Sequence, residues 1–256
     1  MTSWPAISAE QLRGVKPGDS TWPRTVPCGR VVRPEEVWSG RATGVRRRGR
    51  RANLERMIQV AGADRRRTRD EKGRSMEFTI HDERSAPAEV GPALTEIRKR
   101  LGFVPNLYGV MAESPEALNA YLALSKQFRN SSLPTGGQDI VWLTVSRLNA
   151  CRYCMAVHST NALRSGLDAE VVAALREGVP LADPQLEAIR RFTQTVVVEQ
   201  GNVPDEEVQQ FLSSGFAQRQ VLDVMVGVAM KTLSNYVNHL AHTPLDDAFM
   251  AQAWVG

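Results

Sequence analysis

The chain has 256 residues, 42% of them hydrophobic, and 32 Lys and Arg against 28 Asp and Glu give it a formal net charge of +4. That balance is ordinary for a globular protein of one or two domains. No apolar run reaches the roughly 18 residues of a membrane span, the N-terminus lacks a basic-then-apolar signal pattern, and three cysteines do not make a secreted disulfide framework, so a soluble, cytoplasmic protein is expected.

The net charge is the sum of two unlike parts. Residues 1–75 carry 18 Lys and Arg against 8 Asp and Glu, a net of +10, whereas residues 76–256 carry 14 against 20, a net of −6. The first part contains Arg46-Arg47-Arg48 and Arg65-Arg66-Arg67, scattered Pro and Gly, and no sustained apolar periodicity, so it has little with which to offset its ordering entropy. A nucleic-acid arm would have this charge, but Trp4, Trp22 and Trp38 are scattered and no binding motif follows. An organelle presequence would be richer in Arg over its first 20 residues and poorer in acids. The composition break favours a basic, disordered leader or a misplaced start codon ahead of Met76, with the functional domain spanning 76–256.

From Pro87 onward the pattern is helical. Residues 88–101 place Val90, Leu94, Ile97 and Leu101 on one side, with Gly102 as the stop. Phe103 to Leu107 form a turn into a short helix, and Ser114 with Pro115 and Glu116 starts the next, carrying Leu118, Tyr121, Leu122 and Phe128. The break over 133–137 precedes a buried helix from Asp139 with Ile140, Leu143, Val145 and Leu148. Further helices end at Gly166, run from Asp168 to Gly178, from Asp183-Pro184 to Gly201, and from Pro204 to Gly215. Val196-Val197-Val198 favours strand locally, but an isolated strand of that length has nothing to pair with. A last helix over 217–241 carries Val221, Leu222, Met225, Val228, Leu233, Tyr236, Val237 and Leu240 until Thr243-Pro244 ends it. The expected fold is all-α, a compact helical domain whose large apolar stripes call for a homo-oligomer.

The chemistry concentrates between Asp139 and His158. Cys151, Cys154 and His158 stand at relative positions 0, 3 and 7, which is one face of a helix. Asn149 is a candidate N-cap, which would put both cysteines in the first turn, where unpaired backbone N–H groups favour a thiolate. Two thiols three residues apart can close a disulfide, and His158 lies one turn away to move protons. Structural zinc needs four ligands; the remaining cysteine, Cys28, lies far off, although His239 and His242 would complete a Cys/Cys/His/His set. A thioredoxin-like motif belongs in a βαβ setting, which the helical flanks do not offer. Buried cysteines with no role remain open as a reading, against which stand the in-phase His158 and the acid upstream.

The pattern of an acid, eleven residues, Cys-x-x-Cys, three residues and His resembles the alkylhydroperoxidase D branch of the carboxymuconolactone decarboxylase-like superfamily. The likeness extends to Gly-Phe-Val-Pro-Asn-Leu at 102–107, Ser-Pro-Glu-Ala-Leu at 114–118, Val-Ser-Arg-Leu-Asn at 145–149 and the segment from Asn235 to Asp246, and covers about residues 77–254. The resemblance implies a thiol-dependent peroxidase that forms homo-oligomers and uses no cofactor and no metal. It implies Cys154 as the peroxidatic thiol attacking an organic hydroperoxide or hydrogen peroxide, and Cys151 as the resolving thiol. It implies His158 and Asp139 as the proton relay, and an external dithiol reductant, a thioredoxin-like protein or a lipoyl domain. The residues alone do not say which thiol attacks first. Asp139 stands where the family usually has Glu, and Tyr153 where its best-known peroxidases often have His; Tyr153 is expected either to hydrogen-bond in that place or to pack against a neighbouring subunit. Arg147 is expected to serve a helix dipole or the thiolate, and His239 and His242 a polar helix end or the pocket wall. The alternatives are a lyase of the decarboxylase kind that does not use the cysteines, and a non-catalytic redox, zinc-binding or nucleic-acid-binding protein.

Overall fold

The computed structural model describes residues 77–255. The expected leader over 1–75, with its arginine tracts and Cys28, lies outside the described residues. Nine α-helices follow one another among the described residues: α1 Gly91–Leu101, α2 Asn106–Met111, α3 Pro115–Arg129, α4 Gly137–Leu148, α5 Arg152–Arg164, α6 Ala169–Glu177, α7 Pro184–Val198, α8 Asp205–Ser213 and α9 Gln218–Ala241, closed by a 3-10 turn at Asp247–Gln252. Among these residues every regular element is helical, so the all-α expectation holds.

The helix starts follow from local chemistry. Ser114 Oγ accepts from Ala117 N, Asp168 accepts from Glu170 N, and Asp183 accepts from Gln185 N and Leu186 N, each using a side-chain oxygen to satisfy an amide that the helix cannot. Pro115 and Pro184 sit in the first turn of α3 and α7, where the missing N–H costs nothing. Val196, Val197 and Val198 are helical despite their β-branching, because Val196 finds its burial against the core.

α4 is the central helix: Ile140, Val141, Leu143 and Val145 are fully buried, and the helix packs against α5, α6, α7 and α9. α9 lies across α2, α3 and α4. Phe128 of α3 is fully buried and meets Trp142 edge to face at 5.4 Å between ring centres. Phe192, Phe211 and Phe216 stack in series at 4.4 and 4.3 Å and tie α8 to α7.

Only half of the apolar residues expected inward on α9 turn that way: Val221, Val228, Leu233 and Val237 pack against the core. Leu222, Met225, Tyr236 and Leu240 are 66%, 39%, 56% and 69% exposed. Val224, Gly227, Met230, Lys231, Ser234, Asn235 and Asn238 are buried instead. The physical reason is that four polar side chains on the inner face find partners there, described below, and that Gly227 allows close contact. A Cβ added at Gly227 would lie 2.5 Å from Phe128 Cζ and 2.8 Å from Val141 Cγ1. Leu101 at the end of α1 is likewise 43% exposed.

Gly227→Ala therefore sets a helix-propensity gain of about 1 kcal/mol against overpacking of about 1–3 kcal/mol on a fully buried phenylalanine. Urea unfolding should show net destabilisation of about 1–2 kcal/mol; a more stable variant would mean that α9 stands off from α3 and α4.

Candidate active site

The site forms where α4 hands over to α5. α4 ends at Leu148, Asn149 is its C-cap, and Ala150 takes the left-handed conformation (φ 51°). Cys151 is then the N-cap of α5 (φ −84°, ψ 95°), and its N–H donates to Ser146 O at 2.9 Å. Asn149 does not cap α5 as the sequence led us to expect; the left-handed turn at Ala150 carries it away, and its amide donates to Asn235 Oδ1 on α9 at 2.9 Å. Only Cys154, the third residue of α5, lies within the first turn, among amides with no helical acceptor.

Cys151 and Cys154 are both buried free thiols. Around Cys154, α9 supplies Asn238, whose Nδ2 donates to its Sγ at 3.3 Å, and Ser234, whose Oγ is 3.9 Å away. Lys231, one turn further up, is completely buried, and its Nζ lies 3.0 Å from His158 Nε2. Among the described residues Lys231 has no carboxylate partner within ion-pair distance, and its charge acts on Cys154 and His158.

Burial alone pushes the Cys154 thiol up. The hydrogen bond from Cys151, the charge and hydrogen bond of the Lys231 ammonium, and the Ser234 hydroxyl outweigh that and hold Cys154 well below the usual thiol range. Cys151 moves the opposite way: its hydrogen bond to Cys154, then burial, then the negative charge on Cys154 push it far up. The two thiols are thus drawn in opposite directions, Cys154 down and Cys151 up. Burial, Lys231 and Arg129 together keep His158 well below its ordinary value, so its ring is neutral. Because an ammonium only donates, Nε2 accepts from Lys231 and Nδ1 carries the proton. That Nδ1 is buried and has no hydrogen-bond partner among the described residues.

A pocket of about 530 Å³ opens onto this group, lined among others by Cys154, His158, Asp139, Trp142 and Tyr153. Asp139 shares the pocket but makes no hydrogen bond with His158: burial raises its carboxyl, while Arg129 and a hydrogen bond with the Ser165 side chain draw it back down. Tyr153 bonds within its own chain. Its hydroxyl donates to Asp246 Oδ2 at 2.6 Å and accepts from Leu107 N at 3.3 Å, while Asp246 Oδ1 accepts from Asn106 N at 3.0 Å. Arg147 turns away from the thiols to the end of α6, donating to Arg176 O at 3.2 Å and Glu177 O at 2.7 Å, which is the helix-dipole role. His242 is the exposed C-cap of α9 and His239 is half-buried in its last turn; neither lines the pocket. Among the described residues no set of three or more His, Cys, Asp and Glu is grouped for a metal ion.

Lys231, Ser234 and Asn238 do not emerge from a search for catalytic motifs. Their signal is spacing: Lys231, Ser234, Asn235 and Asn238 stand at 0, 3, 4 and 7 in a helix whose other residues are largely apolar, so one polar face is forced inward or outward together.

The carboxymuconolactone decarboxylase family model matches residues 113–195, the stretch that holds the helix junction and both cysteines. Over that stretch the chain is similar to the carboxymuconolactone decarboxylase family. Its fold is that of a peroxidase-related protein from Ralstonia eutropha JMP134 described as an alkylhydroperoxidase AhpD core: TM-score 0.62, 19% identity, 70% of this chain and 96% of that one. A peroxidase-related protein from Silicibacter sp. TM1040 gives 0.60 at 19% identity, over 72% and 98% of the two chains. The debrominase Bmp8, as a variant in complex with 2,3,4-tribromopyrrole, gives 0.59 at 18%, over 69% and 95%. No curated protein matches the chain significantly. In this helical fold Tyr153 is a strut between α5, the start of α2 and Asp246. Tyr153→Phe leaves Leu107 N–H and the Asp246 carboxylate each short of a partner, and should lower the unfolding free energy by about 1–3 kcal/mol; unchanged stability would mean that water replaces the hydroxyl.

Proposed function

We propose that this chain is a thiol-dependent peroxidase that reduces hydroperoxides through a Cys151–Cys154 dithiol/disulfide cycle. The observation that carries the reading is Cys154 on the pocket lining next to Cys151, its sulfur accepting from Asn238 Nδ2 at 3.3 Å, with the completely buried Lys231 drawing its thiol down.

In this reading Cys154 S⁻ attacks one oxygen of the hydroperoxide, the O–O bond breaks, and the electron pair leaves on the other oxygen as alkoxide. His158 Nδ1–H protonates that oxygen to the alcohol, and Nε2 recovers a proton from Lys231. Cys154 is now a sulfenic acid. The Cys151 sulfur attacks it, an S–S bond forms, and hydroxide leaves with the Cys151 proton as water. An external dithiol, supplied by a thioredoxin-like protein or a lipoyl domain, takes over the disulfide and is itself oxidised. Cys154, Cys151 and His158 are catalytic in this scheme. Asp139, lacking a bond to His158, acts at the pocket wall rather than as the first proton donor, and Lys231 takes the relay position that the resemblance implied for Asp139.

The unpartnered Nδ1 of His158 supports the leaving-group step, and the unpartnered Trp142 Nε1 adds a second buried donor in the same wall. We place the activity on residues 76–256 and in a reducing compartment such as the cytoplasm, where the dithiol can be regenerated. No described helix is long and apolar enough to cross a membrane. The exposed stripe Leu222, Met225, Tyr236 and Leu240 supports self-association as a homo-oligomer.

The test begins with the reduced full-length protein and one equivalent of an organic hydroperoxide, followed by thiol counts and intact mass. Two thiols and two hydrogen masses should disappear together within seconds. Cys154→Ser should abolish the reaction, and Cys151→Ser should stop it at a trappable sulfenic acid. If the thiols survive and a lactone acid loses carbon dioxide in the Cys151→Ser/Cys154→Ser protein, the chain is a lyase. Oxidation by a brominated pyrrole in place of a hydroperoxide would ally it with its debrominase relative in fold.

A further inference from the structure

The pocket is far larger than hydrogen peroxide needs, since a single water occupies about 30 Å³ of liquid and the cavity holds about 530 Å³. Its size is that of a small-molecule site. Below the rim the wall is apolar and aromatic, with Phe103, Leu107, Tyr108, Val157, Met230 and Phe249. The rim carries three arginines from three helices: Arg100 near the end of α1, Arg129 at the end of α3 and Arg164 at the end of α5.

An arginine in a last turn is commonplace as a dipole partner, but three helix ends converging on one opening is a different arrangement. Among the described residues none of the three has a carboxylate within ion-pair distance, and Asp139 is the only acidic side chain of the lining. Arg129 is held in place, its guanidinium 5.5 Å from the centre of the Trp142 ring, and that ring lies 4.9 Å from the ring of His158. Arg129 is therefore fixed two ring contacts from His158. Arginine's planar fork suits a carboxylate.

We propose that the substrate is an amphipathic organic hydroperoxide with a carboxylate head group. The carboxylate sits at Arg100, Arg129 and Arg164, the apolar body fills the middle of the pocket, and the O–O bond reaches Cys154. This rests on the peroxidase reading for its reaction, but not for its binding site.

The test uses a matched pair, cumene hydroperoxide and the same molecule with a para carboxylate, with dithiothreitol as the dithiol and the full chain as enzyme. Wild type should favour the carboxylate by roughly tenfold or more in kcat/KM, a preference that shrinks as salt rises. In Arg100→Gln/Arg129→Gln/Arg164→Gln the ratio should fall toward one. Equal use of both by wild type overturns the proposal. If neither turns over, calorimetry with 4-isopropylbenzoate, which has no peroxide, decides the site alone. Binding that weakens roughly tenfold or more in the triple variant keeps the anion site while the peroxidase reading falls; no binding to wild type overturns the site as well.

Discussion

A lysine ammonium buried with no carboxylate partner among the described residues is the constraint on which the rest of this structure turns. Taking such a charge out of water costs several kcal/mol even after relaxation, and it is tolerated only beside an anion or strong acceptors. Lys231 is completely buried, and what surrounds it is the Nε2 of His158 and the sulfur of Cys154. The buried ammonium draws the Cys154 thiol down and, with burial, holds His158 below its ordinary value, so both groups respond to the one lysine.

Two helices impose that arrangement. α4, buried along most of its length, fixes the point where the chain turns at Ala150 and enters α5, so the two cysteines fall on either side of a helix start. That division separates their roles: Cys154 sits among free amides, and Cys151, outside the helix, donates to it. α9 closes over them with its polar face inward, and Gly227 lets it approach α3 and α4 closely enough for Lys231, Ser234 and Asn238 to reach the sulfur. Mobility is not needed to assemble the site, since every one of these groups lies on a regular element or at its cap. The arginines of the pocket lining, Arg100, Arg129 and Arg164, come from helix ends rather than helix faces.

The helices were legible in the sequence because their punctuation is local. Ser114, Asp168 and Asp183 cap helices through bonds spanning two or three residues, and Gly102, Gly166 and Gly178 adopt positive φ where the pattern stops. Cys151, Cys154 and His158 were legible for the same reason, being neighbours in one short segment. Lys231 was not, because it is 73 residues from His158 along the chain and its importance arises from tertiary contact alone. The orientation of α9 was partly hidden by the usual rule that apolar faces turn inward: Leu222 and Leu240 obey a helical period but point outward, and the polar face wins the core because it has partners there. Asn149 shows the opposite limit, a residue of the right type for a cap placed too early, displaced by a left-handed turn at Ala150 that no propensity favours.

The most direct measurement is a pH titration of thiolate absorbance in Cys28→Ser protein, with and without Lys231→Met. A thiolate with a midpoint well below the ordinary value of about 8.5 is expected for Cys154, so that it remains ionised at neutral pH and is lost only as the pH falls further. Lys231→Met should move that midpoint upward by about one unit or more while the helical circular dichroism is retained. A wild-type midpoint at the ordinary thiol value, or one that does not respond to Lys231→Met, would contradict the account.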